Sequence, residues 1–301
     1  MSELEFVQTS VFTDDRYKFS GNQLATFWNL QLDSLSSREM QGIAREMNFS
    51  ETTFVLPSEI EECAYKVRIF TPRAELPFAG HPTLGTAYVL KKEGLIEPSV
   101  SSVNLELGIG PIKAEYLHEN SVCMYQPKPT IIEEYTDKEN MGRILTISPE
   151  EIDSRFPMSF VSTGAPFLIV PIKTLTALQS VIINTDNLIN TLNSFPSQKI
   201  VAFSTETHHT DSSLHIRMFA PTLGVMEDPA TGSAAGPMGA YIELKSVIRD
   251  HSNGETLTLE QGYEINRPSK LLVKCQYDSE GIKGVQVTGQ VKTVVEGIFH
   301  L

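Results

Sequence analysis

The chain has 301 residues, enough for about two domains at roughly 150 residues each. Hydrophobic residues make up 41% and charged residues 20%, which excludes long disorder and allows a large buried core without staples. The formal net charge of −13 disfavours nucleic acid, whose phosphates need clustered Lys and Arg, so an anionic small ligand would have to be held by a local site.

In chain order, strand-like alternation is read at Glu5–Phe12, Ser50–Leu56, Tyr65–Phe70, Val103–Leu107, Ile112–Tyr116 and Val122–Tyr125. A second set follows at Phe167–Ile172, Ile200–Ser204, Leu214–Phe219, Leu257–Leu259, Leu271–Cys275, Val285–Val287 and Val291–Val295. Helices are fewer. Ser36 with Glu39 predicts a capping box, followed by Met40, Ile43, Ala44 and Met47 at one-face spacing. Ser148-Pro149-Glu150-Glu151 predicts another helix start, and the segment from Pro127 to Ser148 reads as an inter-domain connection. Many strands and few helices predict an α+β fold with mostly antiparallel sheets.

The N-terminus lacks a basic-then-apolar signal region, and no run approaches ~18 apolar residues, so a cytoplasmic protein without a membrane span is expected. Cys63, Cys123 and Cys275 are odd in number and widely spaced, which is neither a disulfide framework nor a zinc site. The His208-His209-Thr210-Asp211 stretch invites a metal reading. Adjacent strand side chains point to opposite faces, however, and the segment reads as a loop before Leu214, so no metal is expected there. No G-x-G-x-x-G after a strand and no P-loop occur, and no cofactor is implied.

A duplication carries most of the information. Arg68-Ile69-Phe70-Thr71-Pro72 is followed by Gly80-His81-Pro82-Thr83-Leu84-Gly85-Thr86-Ala87. Arg217-Met218-Phe219-Ala220-Pro221 is followed by Glu227-Asp228-Pro229-Ala230-Thr231-Gly232-Ser233-Ala234. The shared pattern is R-x-F-x-P, a loop, then [HD]-P-x-x-G-[ST]-A, with Pro82 and Pro229 standing 147 positions apart (229 − 82). That spacing fits two equivalent domains and not a solenoid, whose period is ~20–50 residues. In each copy a polar residue, His81 or Asp228, is expected to cap a helix with Pro in its first turn. The residues that follow are largely apolar, as in a helix buried on all sides. Each domain is therefore expected to be a curved sheet wrapped around one central helix. The helix starts, with unpaired N–H groups and partial positive charge, are natural receptors for a carboxylate.

At these residues the chain resembles the PhzF-like phenazine-biosynthesis isomerases of the diaminopimelate-epimerase-like fold. The resemblance rests on Gly21-Asn22-Gln23-Leu24-Ala25, Ser50-Glu51-Thr52-Thr53-Phe54-Val55, the stretch from Glu75 to Gly85, the stretch from Glu227 to Ala234, Gln261-Gly262 and Arg267-Pro268-Ser269. It implies two pseudo-symmetric halves, residues 1–127 plus about 290–301 and residues 128–289, with the active site in the cleft between them. It implies Glu51 as the acid–base carboxylate, supported by His81, Asp228 and Ser233, and it implies a homodimer. Epimerases of this fold place a Cys at the start of each central helix. None stands there in this chain, so two-thiol racemisation is unsupported.

Glu51 lies on a strand face with Phe49, Thr53 and Val55, where desolvation would favour the protonated form and let the group both give and take a proton. His81 is expected to titrate near physiological pH and donate to the substrate. Asp228 would orient a substrate amino or hydroxyl group, or act as a second acid–base group. Ser50, Gly80, Gly232, Ser233 and, more weakly, Gln261 are the candidate binding residues. The function expected is a cofactor-independent isomerase moving a proton within a small amino- or hydroxy-carboxylic acid. The alternatives are a non-catalytic binder of small carboxylates on the same scaffold and an assembly protein, for which no tail, charge run or coiled-coil repeat speaks.

Overall fold

The computed structural model describes residues 3–28, 35–118, 120–248 and 251–301. The chain divides into two compact units, Met1–Tyr125 with Thr288–Leu301, and Gln126–Val287.

The first unit contains β1 (Glu3–Val11), β2 (Asn22–Phe27), α1 (Ser37–Met47), β3 (Glu51–Pro57), β4 (Tyr65–Phe70), β5 (Glu75–Leu76), α2 (Gly80–Lys92), β6 (Ser102–Leu107), β7 (Gly110–Tyr116) and β8 (Ser121–Gln126). The second contains β9 (Thr130–Tyr135), α3 (Lys138–Leu145), β10 (Met158–Ser162), β11 (Pro166–Pro171), α4 (Leu175–Gln179), α5 (Thr185–Leu192), β12 (Ile200–Ser204), β13 (Leu214–Ala220), β14 (Val225–Asp228), α6 (Gly232–Leu244), β15 (Leu257–Gln261) and β16 (Ser269–Asp278). One strand, β17 (Gly281–His300), carries the chain from the second unit back into the first. Sequence alternation read it as two strands.

The two units repeat one topology. In the first, β17–β1 and β1–β2 are antiparallel, β2–β3 parallel, β3–β4 antiparallel, β4–β6 parallel and β6–β7 antiparallel. In the second, β9–β10 and β10–β11 are antiparallel, β11–β12 parallel, β12–β13 antiparallel, β13–β15 parallel and β15–β16 antiparallel. Parallel neighbours need a crossover, and helices supply them: α1 between β2 and β3, α2 between β4 and β6, α4 and α5 between β11 and β12, and α6 between β13 and β15. The fold is α+β, as expected, with two parallel pairs inside each mostly antiparallel sheet.

Crossover helices take different faces. α1 opens with the capping box predicted at Ser36 and Glu39, and it buries Met40, Ile43 and Ala44 against Phe27, Phe54 and Phe70. α2 and α6 are central: each has ten of its thirteen residues buried, so neither presents a polar face. Close approach requires glycine. A Cβ on Gly85 would stand 2.5 Å from a Leu24 methyl on β2, and one on Gly239 would stand 2.4 Å from a Val273 methyl on β16.

Two expectations are corrected in the second unit. The segment from Pro127 to Ser148 is no linker: it folds as β9 and α3 and contributes Tyr135, Met141, Ile144 and Leu145 to a core. The helix start at Ser148 yields only a single 3₁₀ turn at Pro149–Glu151, because Ile152 is extended, buried and bridged to Ile172. Among the described residues no helix is long and apolar enough to cross a membrane.

Candidate active site

In the first unit, Glu51 begins β3 and stands beside Leu24 of β2. Successive strand residues face opposite ways. Phe54 packs toward α1, whereas the Thr53 hydroxyl accepts from Thr86 of α2 at 2.9 Å and donates to Thr26 at 3.0 Å. Glu51 therefore shares the α2 face with Thr53. There it is 9% exposed, and its Oε2 lies 3.4 Å from Nε2 of His81, the second residue of α2.

His81 departs from expectation. Burial pushes its pKa down to about 3, against an opposing contribution from the Gln23 carbonyl, so the ring is neutral at physiological pH. Nδ1 accepts from the Asn22 side-chain amide at 3.1 Å. The proton of a neutral ring so held is on Nε2, which faces the Gln23 carbonyl at 3.3 Å and the Glu51 carboxylate at 3.4 Å. Glu51 thus faces a neutral N–H donor, and the pair is not an ion pair. Asn22, fully buried at the start of β2, sets that tautomer. Sequence reasoning quoted Asn22 as part of a motif but gave it no role, because its partner is 59 residues away. Ser50 is half-buried just ahead of Glu51, and Gly80 is the first residue of α2.

In the second unit, Asp228 ends β14 and is buried. It does not cap α6, whose N-cap is Thr231, and Pro229 lies outside that helix. The reason is a competing set of hydrogen bonds. Thr231 Oγ1 donates to Asp228 Oδ2 at 2.5 Å. Gln261 Nε2 donates to the Asp228 carbonyl at 2.8 Å and to Thr231 Oγ1 at 3.0 Å, while Gln261 Oε1 accepts from Thr231 N at 2.9 Å. Gln261 is fully buried with both amide hydrogens engaged, and it clamps the Asp228–Thr231 turn. Gly262 allows the clamp: its φ is +82°, and a Cβ there would stand 2.5 Å from the Pro229 carbonyl.

The helix starts also correct the repeat. α2 and α6 begin at Gly80 and Gly232, 152 positions apart (232 − 80) and not 147. In this register His81 matches Ser233, each the second residue of its helix, and Ser233 is half-buried. Asp228 has no counterpart at that position. The R-x-F-x-P motif is scaffold. Arg68 chelates Glu75 at 2.8 and 2.7 Å, and Arg217 chelates Glu227 at 2.9 and 2.7 Å, each Arg also lying about 5 Å over the Phe two residues on.

One feature separates the central helices from the rest. Side chains of Ser36, Asp137, Thr174 and Asn184 close the N-termini of α1, α3, α4 and α5. The N-cap residues of α2 and α6, Ala79 and Thr231, make no such bond. Their first-turn N–H groups keep the anion-binding character that a cap would quench.

The same fold is found in a hydroxyproline epimerase from Agrobacterium vitis, with a TM-score of 0.67 over 99% of this chain and 93% of that one, at 11% identity. Sequence relatives carry the chemistry. The chain is 34% identical over 283 residues to the trans-2,3-dihydro-3-hydroxyanthranilate isomerase of Pseudomonas aeruginosa, covering 93% of this chain and 94% of the relative. It is 36% identical over 286 residues to the enzyme of the same name from Pseudomonas chlororaphis, with 93% and 94% covered. The crystal structure of a PhzF-family phenazine biosynthesis protein from Bacillus anthracis matches over 100% of both chains, with a TM-score of 0.89 and 30% identity. The fold and these relatives define an isomerase. The chain belongs to the phenazine biosynthesis-like protein family (PhzC-PhzF), whose model matches residues 9–297.

Proposed function

We propose that the chain moves a proton from one carbon to another within a small unsaturated carboxylic acid bearing an amino or hydroxy group, with Glu51 as the shuttle. The observation that carries this reading is a buried carboxylate facing a neutral imidazole N–H at the start of an uncapped buried helix. The relatives that act on trans-2,3-dihydro-3-hydroxyanthranilate, a molecule of this class, support the choice of substrate.

In the step envisaged, the Glu51 carboxylate takes a proton from carbon, and the C–H electron pair shifts into a conjugated enolate. The proton held on Glu51 exchanges with solvent, and Glu51 then delivers a proton to another carbon of the same molecule, so that turnover in deuterated water leaves one deuterium on carbon. No electrons leave the substrate. The His81 Nε2–H, held by Asn22, donates to Glu51 or to the substrate group beside it. Ser50 and the Gly80 amide of α2 in the first unit, and the Gly232 and Ser233 amides of α6 in the second, are the groups proposed to stabilise charge on the substrate carboxylate. Asp228, clamped by Gln261, accepts from the amino or hydroxy group. This assignment takes the two half-sites to serve one substrate.

The test is a screen of small carboxylic acids, including trans-2,3-dihydro-3-hydroxyanthranilate, in deuterated water with mass-spectrometric readout. An isomerised product carrying one deuterium is the expected result. Ligand retention without deuterium uptake by any acid would favour the binding-protein alternative. Sharing of one substrate is tested separately: Glu51→Gln and Ser233→Ala should each change the kinetics of the same compound, and an effect confined to one unit would contradict it.

A further inference from the structure

A second constellation lies in the second unit, on the opposite face of β15 from Gln261. Glu260 and Gln261 are successive strand residues and point to opposite sides. Gln261 reaches the Asp228 turn, whereas Glu260 Oε2 lies 3.1 Å from Nδ1 of His215 on β13. The other nitrogen of that ring, Nε2, lies 3.1 Å from Glu264 Oε1. His208 completes the group. Its ring stacks on Tyr263 with centroids 4.5 Å apart and stands edge-on to His215 at 5.0 Å.

We infer that His208, His215 and Glu264 bind one divalent transition-metal ion, zinc by the chemistry of the donors, with Glu260 orienting His215 from behind. One donor atom from each of the three lies within 4.8 Å of the others. In a tetrahedral zinc site with bonds of about 2.0–2.1 Å, ligand atoms stand about 3.4 Å apart, so an inward shift of His208 by roughly 1.4 Å completes the shell. Two histidines and one carboxylate are a recognised three-ligand set for this ion, with a fourth position left for water. The buried His215 also has the partner such a ligand needs: a carboxylate on its second nitrogen, fixing the tautomer that turns Nε2 toward the ion. His208 is exposed and gives the ion a route in.

Charge points the same way. The groups packed here are Glu260, Glu264, Arg217, whose Nε is 3.8 Å from Glu264, and Glu227, chelated by Arg217. All four are buried or nearly so, and together they carry a net charge of −2. A proton on His215 offsets half of that, and a divalent ion offsets all of it.

Adjacency in sequence does not make this group. His209 follows His208 but is not in the group, whereas His215 and Glu264 arrive from β13 and from the turn after β15. The site is independent of the isomerase assignment, and its test needs no substrate. The full chain, stripped with a chelator and dialysed, is titrated with Zn²⁺ against a chromophoric chelator and, separately, with Co²⁺ followed by visible absorption. The expected result is one equivalent per chain, with the Co²⁺ spectrum of a four-coordinate site. His208→Ala, exposed and tolerable to the fold, and Glu264→Gln should each weaken binding at least about tenfold. His209→Ala should leave it within about twofold. No stoichiometric binding by the wild-type chain, undiminished binding by His208→Ala, or loss in His209→Ala equal to that in His208→Ala would each overturn the site. The group would then stand as a proton-held ion network.

Discussion

Replacing Gln261 by Met tests whether that residue is a clamp or a ligand. The change keeps the length of the side chain and removes its polar atoms. Three hydrogen bonds of 2.8–3.0 Å disappear. Thr231 Oγ1 keeps its bond to Asp228, but the Thr231 N–H and the Asp228 carbonyl lose the partner that Gln261 supplied inside a buried turn. Leaving a buried polar group unsatisfied costs about 1–3 kcal/mol, so two such groups predict a loss of about 2–6 kcal/mol. The assay is urea unfolding followed by tryptophan-independent far-UV dichroism, with thermal melting as a check. A chain of 301 residues should melt at least about 3 °C lower. A substrate ligand would behave differently, raising KM with stability unchanged. Stability within about 0.5 kcal/mol of wild type would refute the clamp.

The other predictions follow from the same geometry. Arg217→Met should cost about 3–5 kcal/mol, since it strands the buried Glu227 and also frees the carbonyls of Leu178, Gln179 and Val181, whereas Arg68→Met at the more exposed equivalent should cost about 1 kcal/mol or less; equal losses in urea unfolding would contradict the asymmetry. His81 should stay neutral in the native protein between pH 8 and 5, and NMR titration of its ring checks this directly; a midpoint near 6.5 would contradict it. The linked effect on stability has a definite sign. The folded pKa is depressed, so the unfolded chain takes up the proton first: stability is whole above pH 6.5 and declines toward pH 3 by up to about 1.4 kcal/mol per pH unit, a slope that His81→Asn should flatten.

Much of this molecule is legible in one dimension where structure is local. β4 and β12 fall where alternation places them, and the capping box at Ser36 and Glu39 forms as written. The duplicated motif reveals two units because each copy rebuilds the same strand, return and buried helix. What sequence loses is long-range pairing. Nothing near Arg217 says that Glu227 will chelate it, and nothing near His81 says that Asn22 will hold its ring. The same blindness shifts the repeat by five residues, because the Gln261 clamp delays α6 past Pro229 while α2 has already begun at Gly80. Burial is the other hidden variable. Glu51 reads as desolvated from its strand face and is buried, whereas His81 reads as a group titrating near physiological pH, and only the fold shows it withdrawn far enough from water to lose its charge at every physiological pH.

Solvent deuterium exchange in Glu51→Gln is the sharpest test of the proposed mechanism. With a substrate found by the screen, the wild-type chain should place one deuterium on carbon during turnover. The variant should bind the same compound with comparable affinity but exchange at least about 10²-fold more slowly. Exchange at the wild-type rate in Glu51→Gln would remove the carboxylate from the proton path and contradict the account.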